Sequence, residues 1–572
     1  MKATSPFDSP RTLWALVIGF LIVWFYMLGA RTLVPTDEGR YAEMAREMVA
    51  TGDWITLRLN GIKYFEKPPL QTWMNAITFE LFGLGNWQAR LWTGLCGLLG
   101  IALVVHTGYK VFCRRVGVIS GLILGSSLMW AAGAHYNSLD LGVAAMMTVT
   151  LCGLLLSQRV GATEIEQRNG MLLCWLGMAL AVMTKGLIGL VLPGGVLFIY
   201  TLASRDWRIW TRLHMGKGLL LFFAIVSPWF ILIAIKNPEH PQFFFIHEHL
   251  QRFTSNVHKR YQPPYFFVAV LALGVLPWLG LLFRGLWSGV KNIDSGFQAK
   301  KMLLVWTLFI FVFFSVSNSK LIGYILPIFP SLAILIACEL ESNSQKTFRI
   351  AALLFALLGL CGLVFAIFTM LKLSASATSL LDNELRLNLG FLPWLIAATA
   401  LTSVTGLLAF FIADQPRRQD SGLIVLALGG FLAGQILMLG YEPWGQFRAG
   451  LQYVKAIEAE LKPDTPLYSV GQYEQCLPFY LQRTMTLVEF PDELSFGLEQ
   501  QPELWIPKRK DFVKKWRADT ANGVASIAII RASIYQDFLK ESLPMRVIGQ
   551  DSKRIIVSNI TIPPPPSPTR AQ

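Results

Sequence analysis

The sequence predicts a mainly α-helical, polytopic membrane protein with a small α/β domain towards its C-terminal end. Three observations predict it. Of 572 residues, 53% are hydrophobic and only 15% charged, against about 25% charged in an average soluble domain. The apolar residues gather in runs of roughly 20, the length that carries a helix across about 30 Å of hydrocarbon. From about residue 440 onward the pattern changes to short β-rich stretches separated by turn residues. With a mean hydropathy of +0.48, the chain is not an ordinary cytosolic enzyme, a disordered protein or a disulfide-stapled secreted module.

Thirteen apolar runs stand out, near residues 12–30, 91–109, 116–134, 139–157, 171–184, 187–203, 218–235, 265–283, 302–317, 321–338, 350–371, 391–413 and 421–439. The first follows Lys2 and Arg11 and exceeds the roughly 7–15 apolar residues of a signal-peptide core, so it reads as an uncleaved anchor. Basic residues recur in alternate connections: Lys110, Arg114 and Arg115; Arg159 and Arg168; Arg205, Arg208, Arg212 and Lys217; Arg284, Lys291, Lys300 and Lys301; Lys346 and Arg349; Arg417 and Arg418. The positive-inside rule makes these, and the N-terminus, cytoplasmic. Most of the net charge of +14 is then a topology signal, and no nucleic-acid partner is expected.

The expected organisation is a transmembrane domain over 1–439 with structured outer loops at 31–90 and 236–264, an outer α/β domain over 440–562, and a disordered proline-rich tail at 563–572. Strands are expected near 467–470, 524–530 and 554–560, and helices near 452–461 and 511–517. The seven cysteines form no C-x-x-C pair, which leaves them as small apolar packing groups.

Chemistry concentrates in the first outer loop, which holds Asp37-Glu38-Gly39-Arg40-Tyr41 and then Tyr64-Phe65-Glu66-Lys67-Pro68-Pro69-Leu70. Solvated surface charge is one reading. Against it, the acids follow a membrane span, where charge is costly, and Pro68-Pro69 stiffens the turn beside Glu66-Lys67. Between the two motifs, Tyr41, Met44, Met48 and Trp54 match one face of an interfacial helix, with Glu43, Arg46 and Glu47 on the other.

Further charges fall at outer span ends: Asp140, Lys185 and Lys320, the last just before Tyr324. Each alone could be a snorkelling anchor. Together they suit a pocket in which cations receive a phosphate and acids receive sugar hydroxyls or an amine. The second long outer loop contains His247-Glu248-His249. Histidines two apart share a face only in an extended segment; there they could hold a zinc-like ion with Glu66 or Glu248, or they are loop hydrogen-bonding residues. Nothing in the sequence requires a cofactor. It has no G-x-G-x-x-G at Rossmann spacing, no Walker loop and no D-x-D, motifs that a nucleotide-sugar enzyme would use.

The run Asp37 to Gln71, with Asp53-Trp54-Ile55-Thr56, Leu59-Asn60-Gly61 and Tyr64-Phe65-Glu66-Lys67-Pro68-Pro69-Leu70, resembles the bacterial inner-membrane glycosyltransferases of the GT-C fold. Within them, that stretch and HEHLQRFTSNVHKRYQPP most resemble the lipid A aminoarabinose (4-amino-4-deoxy-L-arabinose) transferases. The resemblance implies a GT-C bundle of about 13 transmembrane helices, an undecaprenyl-phosphate-linked sugar as donor, lipid A as acceptor, and resistance to polymyxin and other cationic peptides. It also implies an N-terminus in the cytoplasm and a C-terminal domain in the periplasm. By motif, Asp37, Asp140 and Glu66 would be catalytic; Arg40, Lys67, Lys185 and Tyr324 would hold the donor phosphate; Glu66, His247 and His249 would form a metal site. A related transferase of another lipid-linked sugar to protein or glycan, or a lipid-linked sugar transporter, stands as the alternative.

Overall fold

The computed structural model describes residues 5–251, 262–290, 296–342, 345–376 and 383–560, excepting the side chains of 247–251, 375 and 376. The expected tail at 563–572 lies outside the described residues. Contacts divide the chain into two units, Met1–Arg31 with Glu66–Glu442, and Thr32–Phe65 with Pro443–Gln572. The expected boundary near 440 is therefore drawn differently at one point: residues 32–65 fold with the C-terminal segment.

The first unit is helical. Among the described residues, nine helices are long and apolar enough to cross a membrane. Two bent pairs, Arg114–Ser126 with Leu128–Ala134 (66°) and Phe266–Gly274 with Leu279–Ser288 (111°), raise this to eleven if each is one span. The other two expected spans are also helices. Ile188–Ser204 has only 17 residues, and Glu164–Lys185 opens with Glu164, Glu166 and Arg168, which dilute its apolar character. Burial sorts the helices: Leu139–Gln158 is 89% buried over its apolar window and Pro10–Gly29 only 17%. The first is interior and the second faces outward, as its apolar surface allows only in lipid.

Leu139–Gln158 and Glu164–Lys185 form a tight helical hairpin. Ser138 caps the first arm by accepting from the Asp140 N–H, and Thr163 with Glu166 makes a capping box on the second. The arms have 20 and 22 residues and are joined by only five. The start of one therefore returns to the end of the other, and Asp140 meets Lys185. Small residues allow the close approach: a side chain on Gly153 or Gly177 would sit 2.5 Å from the facing backbone.

The second unit is an open α/β sheet with its core on both faces. We number its strands after a short hairpin, β1 (Arg58–Leu59) and β2 (Ile62–Lys63); the sheet then contains β3 (Leu467–Val470), β4 (Thr486–Val488), β5 (Trp505–Ile506), β6 (Ile527–Arg531), β7 (Arg546–Gln550) and β8 (Arg554–Ser558). The order is β5-β4-β3-β6-β8-β7, with β3 to β6 parallel and β8 antiparallel to β6 and β7. Period-two alternation sends Tyr468, Val470, Ala528 and Ile530 towards Phe512 and Trp516, while Leu467, Ile527 and Ile529 meet Leu477 and Leu481.

The Thr32–Phe65 segment is bonded into this unit. Its β1–β2 turn, Asn60-Gly61, has φ of 58° and 77°, the geometry for which Asn-Gly is favoured. The Asn60 amide bonds both the N–H and the C=O of Met485 at 2.7 Å. Leu33 N–H donates to the Tyr480 hydroxyl at 2.8 Å. The helix Asp37–Thr51 differs from the expected interfacial helix: Glu43 and Glu47 are buried as fully as Tyr41 and Met44.

Candidate active site

In the helical unit, Lys185 bonds Asp140 as an ion pair, with both side chains mostly buried. Its ammonium also lies 4.7 Å from the centre of the Tyr324 ring, a cation–π distance. A narrow cavity opens here, lined by Asp140, Lys185, Gly323 and Tyr324 on its polar side and by Val143, Met147, Leu192 and Phe314 on its apolar side. Asp140 lies in the first turn of its helix and Lys185 in the last turn of its own, the ends at which the helix dipole favours each charge. The arrangement can hold an anionic group by its cation, with apolar walls for attached hydrocarbon.

Gly323 is required by that geometry, because a Cβ there would lie 2.0 Å from Asp140 Oδ2. We expect Gly323→Ala to turn Asp140 away from Lys185 and to lower turnover by about 10-fold or more, measured as kcat of the purified protein. Unchanged turnover contradicts the placement.

Lys67 approaches Glu66 Oε2 at 3.5 Å and donates to the Glu66 carbonyl at 3.0 Å. The helix that follows, Leu70–Phe82, carries Gln71 and Asn75, whose side-chain amides both donate to Asn137 Oδ1 at 2.9 Å. All three are fully buried, so the motif of Lys67 and the turn before Asp140 are tied by an amide network. Lys320, also singled out in the sequence, is buried and donates to the carbonyls of Ser317 and Gln262 at 2.6 and 3.0 Å.

In the α/β unit, Arg40 bridges two carboxylates. It lies 2.8 Å from Glu493 Oε2 and 3.6 Å from Asp37 Oδ1. Exposure rises from Arg40 at 8% through Glu493 at 16% to Asp37 at 30%, so Asp37 is the outermost member and the one a substrate can meet. Glu38 turns inward and accepts from the Val34 N–H at 2.9 Å.

One turn further along the same helix, Arg46 holds Glu43 through two bonds of 2.6 and 2.7 Å, and Glu47 accepts from the Gly61 N–H at 2.7 Å. Burial, and then the neighbouring Glu43 charge, push the Glu47 carboxyl up to about 8. Folding with a raised carboxyl retains a proton that the unfolded chain releases. The stability this group contributes is therefore complete below about 4.5 and is lost as pH rises through about 8. Glu47→Gln, which mimics the protonated form, is expected to raise the apparent unfolding temperature by a few degrees at pH 8.5 and progressively less towards pH 5. A gain independent of pH contradicts a protonated Glu47.

Of the sequence-predicted residues, the structure thus groups Asp140, Lys185 and Tyr324 in one unit and Asp37 with Arg40 in the other, and leaves Glu66 beside Lys67. The side chains of His247 and His249 lie outside the described residues; their backbone belongs to a π-helix, Gln242–Gln251. Among the described residues no three His, Cys, Asp or Glu side chains are grouped to hold a metal ion, and Glu66 has Lys67 as a charge partner. Glu493, Gln71 and Asn75 were not singled out by the sequence, although Gln71 closes the Glu66-to-Gln71 motif.

Comparison with known proteins shows the family. Residues 453–559 match the family described as aminoarabinose transferase C-terminal domain, and residues 66–232 match dolichyl-phosphate-mannose-protein mannosyltransferase. The undecaprenyl phosphate-alpha-4-amino-4-deoxy-L-arabinose arabinosyl transferase 1 of Proteus mirabilis is 32% identical over 70% of this chain and 74% of its own length. The corresponding transferase of Aeromonas salmonicida is 34% identical over 64% of this chain and 67% of its own. The crystal structure of ArnT from Cupriavidus metallidurans bound to undecaprenyl phosphate superposes with a TM-score of 0.89 at 37% identity, covering 97% of this chain and 99% of that one. The chain belongs to the aminoarabinose transferase family.

Membership makes the helical unit a GT-C bundle and residues 453–559 of the α/β unit the C-terminal domain characteristic of aminoarabinose transferases. The apo form of the same Cupriavidus metallidurans protein gives a TM-score of 0.88 at 36% identity, so the agreement extends to both forms.

Proposed function

We propose that the chain is a lipid A aminoarabinose transferase of the bacterial inner membrane, moving 4-amino-4-deoxy-L-arabinose from undecaprenyl phosphate to a lipid A phosphate on the periplasmic face. The observation that carries this reading is the end-to-end match to ArnT; the Asp140–Lys185–Tyr324 group supports it by setting a cation beside an apolar cavity, as a lipid-linked phosphate requires.

In the proposed reaction, the bond between the sugar anomeric carbon and the carrier phosphate oxygen breaks. Its electron pair stays on the departing undecaprenyl phosphate, and a lipid A phosphate oxygen forms the new bond to the anomeric carbon. Negative charge builds on the departing phosphate and positive charge on the sugar ring, so fixed cations at the first and carboxylates near the second lower the barrier. Lys185, held by Asp140 and stacked on Tyr324, and Lys67, held beside Glu66, take the phosphate role. Arg40, expected from the resemblance to hold the donor phosphate, is already paired with Glu493 and Asp37 and is assigned instead to orienting Asp37.

A lipid A phosphate monoester loses its second proton near about pH 6, by analogy with phosphoserine, and is an adequate nucleophile at neutral pH. Asp37 is therefore assigned to orienting and stabilising reactants, not to abstracting a proton. Zinc or another divalent ion at Glu66, His247 and His249 is no part of the proposal, because histidines two apart diverge in a π-helix and Glu66 is paired with Lys67. Transfer of a cationic sugar lowers the negative charge of lipid A and hence its attraction for polymyxin and other cationic peptides.

The reading is tested by mass spectrometry of lipid A from cells with and without the protein. An aminoarabinose mass increment that requires the protein and disappears with Lys185→Met supports it. Unmodified lipid A, with the sugar found on a glycan or protein, overturns it.

A further inference from the structure

We infer that Glu493 of the C-terminal domain is a positioning residue for Asp37, acting through Arg40. This rests on the transfer reading, in which Asp37 acts at the reactants.

The geometry within the α/β unit is that of a clamp. The segments after the carboxyl ends of β3 and β4 are the places where open α/β sheets ordinarily receive ligands. Here they receive the helix Asp37–Thr51. Gly39 seats that helix directly on Gln475 and Cys476: a Cβ would lie 2.5 Å from the Gln475 carbonyl and 2.6 Å from the Cys476 sulfur. Glu493, from the segment after β4, reaches Arg40 at 2.8 Å.

Glu493 is itself fixed, because its other oxygen accepts from the Gln475 amide at 2.7 Å. The result is a directed chain from Gln475 to Glu493 to Arg40 to Asp37. Its links loosen outward, from 2.7 and 2.8 Å to 3.6 Å. A guanidinium has a rigid fork of donors, so fixing one side by Glu493 sets where the other side points. Without Glu493, Arg40 would swing onto Asp37 alone, drawing the carboxylate inward and neutralising it. A displacement on the order of 1 Å at a reacting group costs as much as about 10²-fold in rate.

The test is a double-mutant cycle on the full chain in lipid nanodiscs, with undecaprenyl-phosphate-linked aminoarabinose as donor and lipid A as acceptor. Glu493→Gln is expected to lower kcat by about 10-fold and to leave the donor KM within about 2-fold. In the Asp37→Asn background the same substitution should change kcat by less than about 2-fold, because what it positions is already gone. Equal losses in both backgrounds, or no loss in either, overturn the inference, the first assigning Glu493 to general stability. Gln475→Leu keeps every charge and removes only the bond that aims Glu493. Its smaller loss, again confined to the Asp37 background, is the corresponding support should Glu493→Gln fail to fold, and a loss equal in both backgrounds overturns the inference equally. A wild-type chain inactive on this donor and acceptor overturns the transfer reading itself, a different result from either.

Discussion

Replacing Asp37 with asparagine is expected to lower aminoarabinose transfer by about 10²- to 10³-fold while leaving the donor KM within about 3-fold. The substitution preserves shape and removes one charge. Asp37 is the most exposed member of its group and lies 3.6 Å from Arg40, so the fold should survive. Its pH dependence distinguishes two roles. If Asp37 orients and stabilises, wild type and variant share one rate profile, limited on the acid side by protonation of the acceptor phosphate near about pH 6. If Asp37 is a general base, the wild type has a further acid-side limb that vanishes in the variant. The expected result is the shared profile, read from kcat/KM between pH 5 and 8.

A second large effect is expected at Lys185. Lys185→Met removes the cation that Asp140 and the Tyr324 ring both contact and leaves a carboxylate among Val143, Met147 and Phe314. Transfer should fall by about 10²- to 10³-fold, the size typical of a lost transition-state cation or donor. Stability should fall by about 2 kcal/mol, below the usual figure for an orphaned buried charge because water has some access to the pair. Lys185→Arg should restore little, since a planar fork does not replace a point charge between a carboxylate and a ring face. Activity of Lys185→Arg near wild type would show that charge alone suffices there. Asp140→Asn removes the carboxylate that Lys185 leaves behind, and in the Lys185→Met background it should recover stability without recovering turnover.

Much of the helical unit was legible in the sequence because the signal is local. An apolar run near 20 residues forms a helix in lipid whatever surrounds it, and all thirteen runs are helical. What composition could not give was their regularity: the bends at Ser127 and at 275–278 depend on neighbours. Asp140 and Lys185 were each visible as charges at span ends. Their pairing was not, because the expected spans, 139–157 and 171–184, differ in length and leave a long connection, whereas the helices have 20 and 22 residues joined by five.

The α/β unit was less legible. β3, β6 and β8 are apolar runs of four or five residues and could be seen; β4 and β5 have three and two residues and take their strand character from pairing. The burial of Glu43 and Glu47 reversed the amphipathic reading of the helix Asp37–Thr51, since a polar face can be covered when Arg46 and backbone N–H groups satisfy it. Glu493 was out of reach for a simpler reason. Its partner Arg40 lies some 450 residues earlier, and nothing local to either residue marks the pair. The Asn60-Gly61 turn carries a local hairpin signal that the sequence reading passed over.

The central claim is that this chain transfers aminoarabinose from undecaprenyl phosphate to lipid A, and the most direct measurement uses purified full-length protein in nanodiscs with those two substrates alone. The account predicts lipid A gaining one aminoarabinose for each undecaprenyl phosphate released. Release of undecaprenyl phosphate with lipid A unchanged, or no consumption of the donor by correctly folded protein, would contradict it.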